Sequence, residues 1–255
     1  MNFKINSNQN ISQDILEVYI SNFYNSGKIF SGGNRNTIKL FELDGKTINI
    51  KSFKIPHFIN KIAYRYFRKS KAKRSFEFAT RLLEMNIGTP QPIAFYENYD
   101  FVGLKDSYYV CEHLADVFEF RDLVENKSFE NRTKIIRQFA QFSFKMHQKG
   151  IEFLDHSPGN TLIQKRLDGD YEFYLVDLNR MNFHSSMDFE LRMKNLSRLT
   201  PHKEMIEIMS SEYAKVYPEK KETEILAKMW FYTNEFQEKF QRKKRIKKVV
   251  KFWKK

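Results

Sequence analysis

Residues 150–180 read GIEFLDHSPGNTLIQKRLDGDYEFYLVDLNR, and the rest of the chain is organised around them. Asp155 and Asn160 stand in a D-x-x-x-x-N arrangement with HSPG between them, and Thr161-Leu162-Ile163 follows. Leu167-Asp168-Gly169-Asp170 is a turn cluster. A mostly apolar run over residues 171–176 then ends on Asp177. The pattern is a loop, a strand, a tight turn and a second strand, with Asp155, Asn160 and Asp177 at the ends of the hairpin.

These side chains suit phosphoryl transfer. That reaction needs a carboxylate to orient an attacking hydroxyl and accept its proton. It also needs oxygen ligands for Mg²⁺ on the phosphates of ATP. A loop Asp, an Asn five residues on and a later Asp at a strand end can fill those roles. Read by themselves, Asp155 and Asn160 are also residues that any turn beside Pro158-Gly159 could contain.

The stretch resembles the protein-kinase-like fold. Its fuller wording, GIEFLDHSPGNTLI and then YLVDLNR, is similar to the bacterial lipopolysaccharide kinases that act on Kdo or heptose. The resemblance implies an α+β, bilobal protein-kinase-like fold with a small β-rich N-lobe, residues 1–113, and a mostly helical C-lobe, residues 114–255. It implies Asp155 as catalytic base, Asn160 and Asp177 as metal ligands, and ATP and Mg²⁺ as cofactors. Two departures stand out. Phe153 and Leu154, with no His or Arg, precede Asp155, and Leu178-Asn179 follows Asp177 where protein kinases carry Phe-Gly. The missing Phe-Gly argues against an activation-loop switch and leaves the metal role intact.

Upstream, Asp44-Gly45 is a hairpin signal between strand-like runs at 37–43 and 47–53. Ser31-Gly32-Gly33-Asn34 precedes the first run. In the kinase reading the backbone of Gly32 and Gly33 covers the phosphates; a hairpin turn is the ordinary reading. Alternation in the second strand sets Asn49, Lys51 and Phe53 on one face and Ile48 and Ile50 on the other. The resemblance assigns Lys51 to the phosphates, with Lys54 as rival, and Glu77 as its helix partner. Arg81, four residues on, is the local alternative for Glu77. Residues 59–83 read as helices closed by Gly88 and Pro90. Strands are expected at 92–97 and 107–111, followed by Glu112-His113-Leu114. There the resemblance puts a lobe linker, with backbone at Glu112 and Leu114 for adenine. Residues 131–148 are strongly periodic and read as a core helix closed by Gly150. Residues 11–23 give a short packing helix.

The composition narrows the class. Hydrophobic content of 41% over 255 residues supports a packed core. The lone Cys111 excludes an internal disulfide or a cysteine metal cluster and favours a reducing, cytosolic compartment. The N-terminus lacks a signal-peptide pattern, and no apolar run approaches a membrane span. The net charge of +13 is concentrated. Residues 51–74 hold nine Lys and Arg and no acid, and so do residues 242–255. Such patches attract anionic lipid, phosphorylated glycolipid or nucleic acid. No nucleic-acid motif is present. The partners expected are therefore a lipid-linked sugar acceptor (Kdo-lipid A or core) and an anionic membrane surface, at the inner face of the inner membrane. Past Lys239 the basic sequence interleaves Ile246, Val249, Val250, Phe252 and Trp253, as an interfacial helix does. A small-molecule or protein kinase of the same fold, or a non-catalytic basic binder, are the alternatives.

Overall fold

A computed structural model describes residues 2–7, 11–32, 36–55 and 57–252. The chain forms two compact units. The first is Met1–Ala115 with Leu175–Arg180, and the second is Asp116–Tyr174 with Met181–Lys255.

The first unit is built on six antiparallel strands: β1 (Asn2–Ile5), β2 (Lys28–Gly32), β3 (Asn36–Leu43), β4 (Lys46–Phe53), β5 (Pro92–Tyr99) and β6 (Leu104–Glu112). Their order is β1-β5-β6-β4-β3-β2. Asp44 and Gly45 join β3 to β4 with φ values of 51° and 76°. Positive φ at both central residues is the turn whose twist matches a two-residue hairpin, and Asp-Gly tolerates it. Ile48 and Ile50 face a core shared with Leu16, Ile20 and Phe23, contributed mainly by helix α1 (Gln13–Ser21). On the opposite face Lys51 lies in register beside Tyr109, and Tyr109 beside Phe95. Phe95 packs on Phe76 at 5.5 Å between ring centroids, so helix α3 (Lys71–Glu84) covers the face from which Lys51 projects. Helix α2 (Phe58–Tyr66) precedes it. Strands β1 and β2 extend the sheet beyond the strand signals in the sequence.

The second unit is mostly helical. Strand β7 (Val117–Glu119) leads into α4 (Phe120–Glu125), and α5 (Arg132–Gln148) forms its centre. Ile135, Ile136, Phe139 and Met146 of α5 are fully buried, as the 3.6-residue period requires. Gly150 ends this run at φ 69°, and a Cβ there would lie 2.0 Å from the carbonyl oxygen of His184. Only glycine lets strand β8 (Ile151–Phe153) start so close to its neighbour. Strands β9 (Thr161–Lys165) and β10 (Tyr171–Leu175) pair in the order β10-β9-β7, and β11 (Met181–Phe183) pairs with β8. Helices α6 (Phe189–Asn195), α7 (Lys203–Val216) and α8 (Glu222–Phe252) complete the unit. No helix among the described residues is long and apolar enough to cross a membrane.

The chain passes from the second unit back to the first near the end of β10. Leu175 N–H donates to the Gly88 carbonyl at 2.9 Å, and the Thr89 hydroxyl donates to the Leu175 carbonyl at 2.8 Å. These buried bonds fasten residues 175–180 to the first unit. A division of the linear sequence at residue 113 does not anticipate that excursion.

Candidate active site

In the first unit, Lys51 Nζ donates to Asp177 Oδ1 at 2.7 Å. The Lys51 stem is largely covered, and its ammonium lies 5.4 Å from the Phe53 ring centroid. Asp177 has φ 58°, the left-handed region that Asp tolerates through its short polar side chain. Asn179 Nδ2 donates to the same oxygen, Oδ1, at 2.8 Å. Both bonds fall on Oδ1, and Oδ2 has no hydrogen bond among the described residues. Leu178 is buried and packs the turn. The Leu-Asn departure from Phe-Gly therefore has a local use, since one residue fills core and the other holds the carboxylate. Lys54 is exposed and makes no ion pair among the described residues, so Lys51 is the lysine that meets the Asp.

The expected Lys51–Glu77 pair is a correction. Glu77 Oε1 and Oε2 accept from Lys69 Nζ at 3.0 and 2.8 Å. Lys69 stands just before α3, and its flexible stem reaches the carboxylate eight residues further on, while Lys51 is paired with Asp177. Of the expected phosphate loop, Gly32 ends β2, opposite Thr37, and Gly33 lies outside the described residues. In the linker, the Glu112 side chain accepts from Lys46 at 2.9 Å, and Glu112 N–H donates to the Gln91 carbonyl at 2.9 Å. His113 N–H donates to Thr47 O at 3.0 Å. Leu114 N–H and C=O make no hydrogen bond among the described residues, so they are the groups there that a ligand could use. Burial lowers the His113 pKa, and its ring meets Phe30 edge-on at 5.1 Å.

In the second unit, the loop after β8 holds Asp155 and Asn160. Asn160 Nδ2 donates to the Asp155 backbone carbonyl at 2.8 Å, which closes the five-residue spacing into a tight turn. That bond leaves Asn160 Oδ1, the atom a cation would take. Asp155 Oδ1 accepts from Arg198 Nη1 at 3.0 Å, and the same nitrogen donates to the Leu154 carbonyl at 2.8 Å. Arg198 itself lies 5.4 Å from the Phe236 ring centroid. One guanidinium nitrogen thus bridges the Asp155 carboxylate and the Leu154 carbonyl, a contact nothing in the local sequence announced. Arg121, on α4, lies against Gly159 of the same loop, with the Glu119 carboxylate beside it.

His156 directly follows Asp155 and carries a ring that could accept a proton. It is fully buried, with its ring 5.7 Å from both Phe139 and Phe153. Burial holds its pKa down to about 4. A ring sealed in an aromatic core cannot reach a substrate, so His156 is a packing residue. His147 is equally buried against Tyr213 (2.9 Å) and Asn195 (3.2 Å), with its pKa pushed down to about 3 by desolvation.

A Lys–Asp pair on one unit and an Asp–Asn loop on the other are the groups that phosphotransferases use. The family model of the lipopolysaccharide kinase (Kdo/WaaP) family matches residues 31–218. The chain belongs to that family, whose members are phosphotransferases acting on a sugar hydroxyl. No curated protein sequence matches the chain. Among solved structures it is similar to WaaP in complex with acyl carrier protein, with a TM-score of 0.62 and 16% identity over 94% of this chain and 99% of that one. At that identity the likeness establishes a shared fold.

Proposed function

We propose that the protein is an ATP- and Mg²⁺-dependent kinase that phosphorylates a sugar of the lipopolysaccharide inner core, with Kdo as the acceptor. The observation that carries this reading is the Lys51–Asp177 ion pair in a member of the lipopolysaccharide kinase family. In this reading the chain is bilobal and protein-kinase-like, with residues 1–113 as N-lobe and 114–255 as C-lobe.

Lys51 binds the nucleotide phosphates, with Gly32 backbone beside them. The backbone at Glu112 and Leu114 faces adenine. Asp155, held by Arg198, orients the acceptor hydroxyl and takes its proton. Asp177 and Asn160 each offer an oxygen to Mg²⁺. Bound there, the metal would neutralise charge on the transferring phosphoryl group. Among the described residues no group of three or more His, Cys, Asp or Glu gathers to hold a metal. Mg²⁺ takes few protein ligands and fills the rest with phosphate and water.

The same reading places the protein at the cytoplasmic face of the inner membrane. Support comes from the basic end of α8 and from exposed aromatics in the first unit. Phe101, Phe67 and Tyr66 are 104%, 82% and 65% exposed, and Arg65 bonds the Phe101 carbonyl while lying 5.6 Å from the Tyr66 ring. Aromatic tips among bases suit an anionic headgroup layer. Trp253 lies outside the described residues. WaaP is described in complex with acyl carrier protein, and a carrier-protein partner belongs to this proposal too.

The test is labelled ATP offered with Kdo-lipid A, heptosylated core and a generic protein. Label on Kdo-lipid A alone is expected. Label on the protein substrate alone would replace this reading with a protein kinase.

A further inference from the structure

Strand β7 and helix α4 bring two charged side chains to the loop that holds Asp155 and Asn160. A Cβ on Gly159 would lie 2.1 Å from Arg121 Nη2, 3.0 Å from its Cζ and 3.3 Å from Glu119 Oε2. The absent side chain of Gly159 therefore makes room for both groups. Arg121 Nη2 lies within about 4 Å of the Gly159 Cα, and one trans peptide of about 3.8 Å leads on to the Asn160 Cα. The backbone fixes this placement. Glu119 is in register with Leu162, two residues past Asn160, and Glu119 N–H donates to Asp122 Oδ2 at 2.8 Å where α4 begins. Asn160 in turn closes the loop onto the Asp155 carbonyl. All of these residues belong to the second unit.

The pair is loose. Arg121 Nε is 3.5 Å from Glu119 Oε2, and the two side chains are 52% and 41% exposed. An ion pair of that kind contributes little to stability. Arg198, at the same loop, is by contrast bonded to Asp155 and to the Leu154 carbonyl. Burial raises the Glu119 pKa, Arg121 opposes the rise, and Asp122 and Glu125 add to it. Three acids around one guanidinium disfavour an anion, so the ligand that fits is uncharged. A guanidinium offers only donors and a carboxylate only acceptors, whereas a sugar hydroxyl does both. Two neighbouring hydroxyls can join the pair, one donating to Glu119 and the other accepting from Arg121, and bonds to charged groups are the stronger ones.

We propose that Glu119 and Arg121 form a sugar subsite beside the catalytic loop, reading hydroxyls of the acceptor next to the one that is phosphorylated. It rests on the kinase reading for the acceptor and on the second unit alone for its geometry. The pair selects which sugar is taken and leaves the nucleotide to Lys51.

Three variants test it: Arg121→Ala, Glu119→Gln and Gly159→Ala. Arg121 is half exposed, so its loss leaves the fold alone. Gly159→Ala keeps both charged groups and pushes the guanidinium aside. On Kdo-lipid A the first two are expected to raise acceptor KM by about tenfold or more, the scale of one lost hydrogen bond to a charged group. Gly159→Ala gives a smaller rise, kcat at saturating acceptor falls less than KM rises, and nucleotide KM stays at the parent value. Acceptors with single Kdo hydroxyls replaced by hydrogen identify the group that is read: on one of them parent and Arg121→Ala should have equal KM. A second readout needs no transfer. Free Kdo, titrated and followed by nuclear magnetic resonance of the sugar, should bind Arg121→Ala more weakly than the parent. Should the parent phosphorylate no acceptor while that difference persists, the kinase reading falls and the sugar subsite stands. Unchanged acceptor KM in Arg121→Ala, or equal Kdo binding by the two proteins, overturns the subsite. So does an effect confined to nucleotide KM and absent with 2′-deoxy-ATP, which would give the pair to the ribose.

Discussion

Lys51 and Asp177 are 126 residues apart in sequence, yet their charged atoms lie 2.7 Å apart. The pair is partly buried, and Asn179 holds the same carboxylate oxygen. Replacing Asp177 by Ala removes the carboxylate and leaves the Lys51 ammonium without its partner. Phosphate transfer is expected to fall by about 10³-fold or more, the scale of losing a principal charge stabiliser. Circular dichroism should remain that of the parent. Turnover at the parent rate would remove Asp177 from the metal role.

Arg198 reaches Asp155 from 43 residues downstream. Arg198→Ala removes the Nη1 bridge between the Asp155 carboxylate and the Leu154 carbonyl, and Arg198→Lys keeps the charge but loses the planar guanidinium. Both should lower kcat, Ala more than Lys, with nucleotide affinity near the parent value. Steady-state kinetics on both substrates decides this. A change confined to nucleotide KM would show that Arg198 does not act through Asp155.

His147 and His156 are held neutral by burial, with pKa values down to about 3 and about 4 against an ordinary 6.5. Between those values and 6.5 the unfolded chain binds more protons than the folded one. Stability is therefore fully present above about pH 6.5 and is lost as the pH falls toward 4. Melting temperatures measured from pH 7.5 to 4.5 should drop, and a His147→Gln/His156→Gln variant should show a flatter profile. A parent melting temperature independent of pH over that range would contradict the burial.

The last stretch, residues 242–255, carries nine bases and no acid. Each base near an anionic surface contributes about 1 kcal/mol. Truncation after Phe240 should weaken sedimentation with phosphatidylglycerol vesicles at low salt by at least tenfold, with activity on a soluble acceptor fragment kept. Unchanged vesicle binding would make residues 242–255 a bystander.

What could be read in advance follows from the range of the interactions. Helix α5 and the Asp44-Gly45 hairpin announce themselves through local period and turn chemistry. Strand β2 does not, because all its residues are exposed at the sheet edge and show no alternation. Asp155, Asn160 and Asp177 were visible as a spacing of residue types. The choice of Lys69 over Lys51 by Glu77, and of Arg198 by Asp155, was not visible. Ion-pair partners are settled by three-dimensional reach, which the order of residues does not encode. The same holds for residues 175–180, tied to the first unit by two backbone carbonyls, those of Gly88 and Leu175.

Asp155→Asn keeps the shape of the loop and removes the charge that a base requires. The most direct measurement sets this variant beside the parent, with nucleotide binding by titration and label transfer from ATP to Kdo-lipid A in the same preparation. The expected result is parental nucleotide affinity with transfer reduced at least a hundredfold, the usual contribution of a general base. Near-parental transfer by Asp155→Asn would reduce Asp155 to a turn residue and contradict the assignment of the catalytic loop.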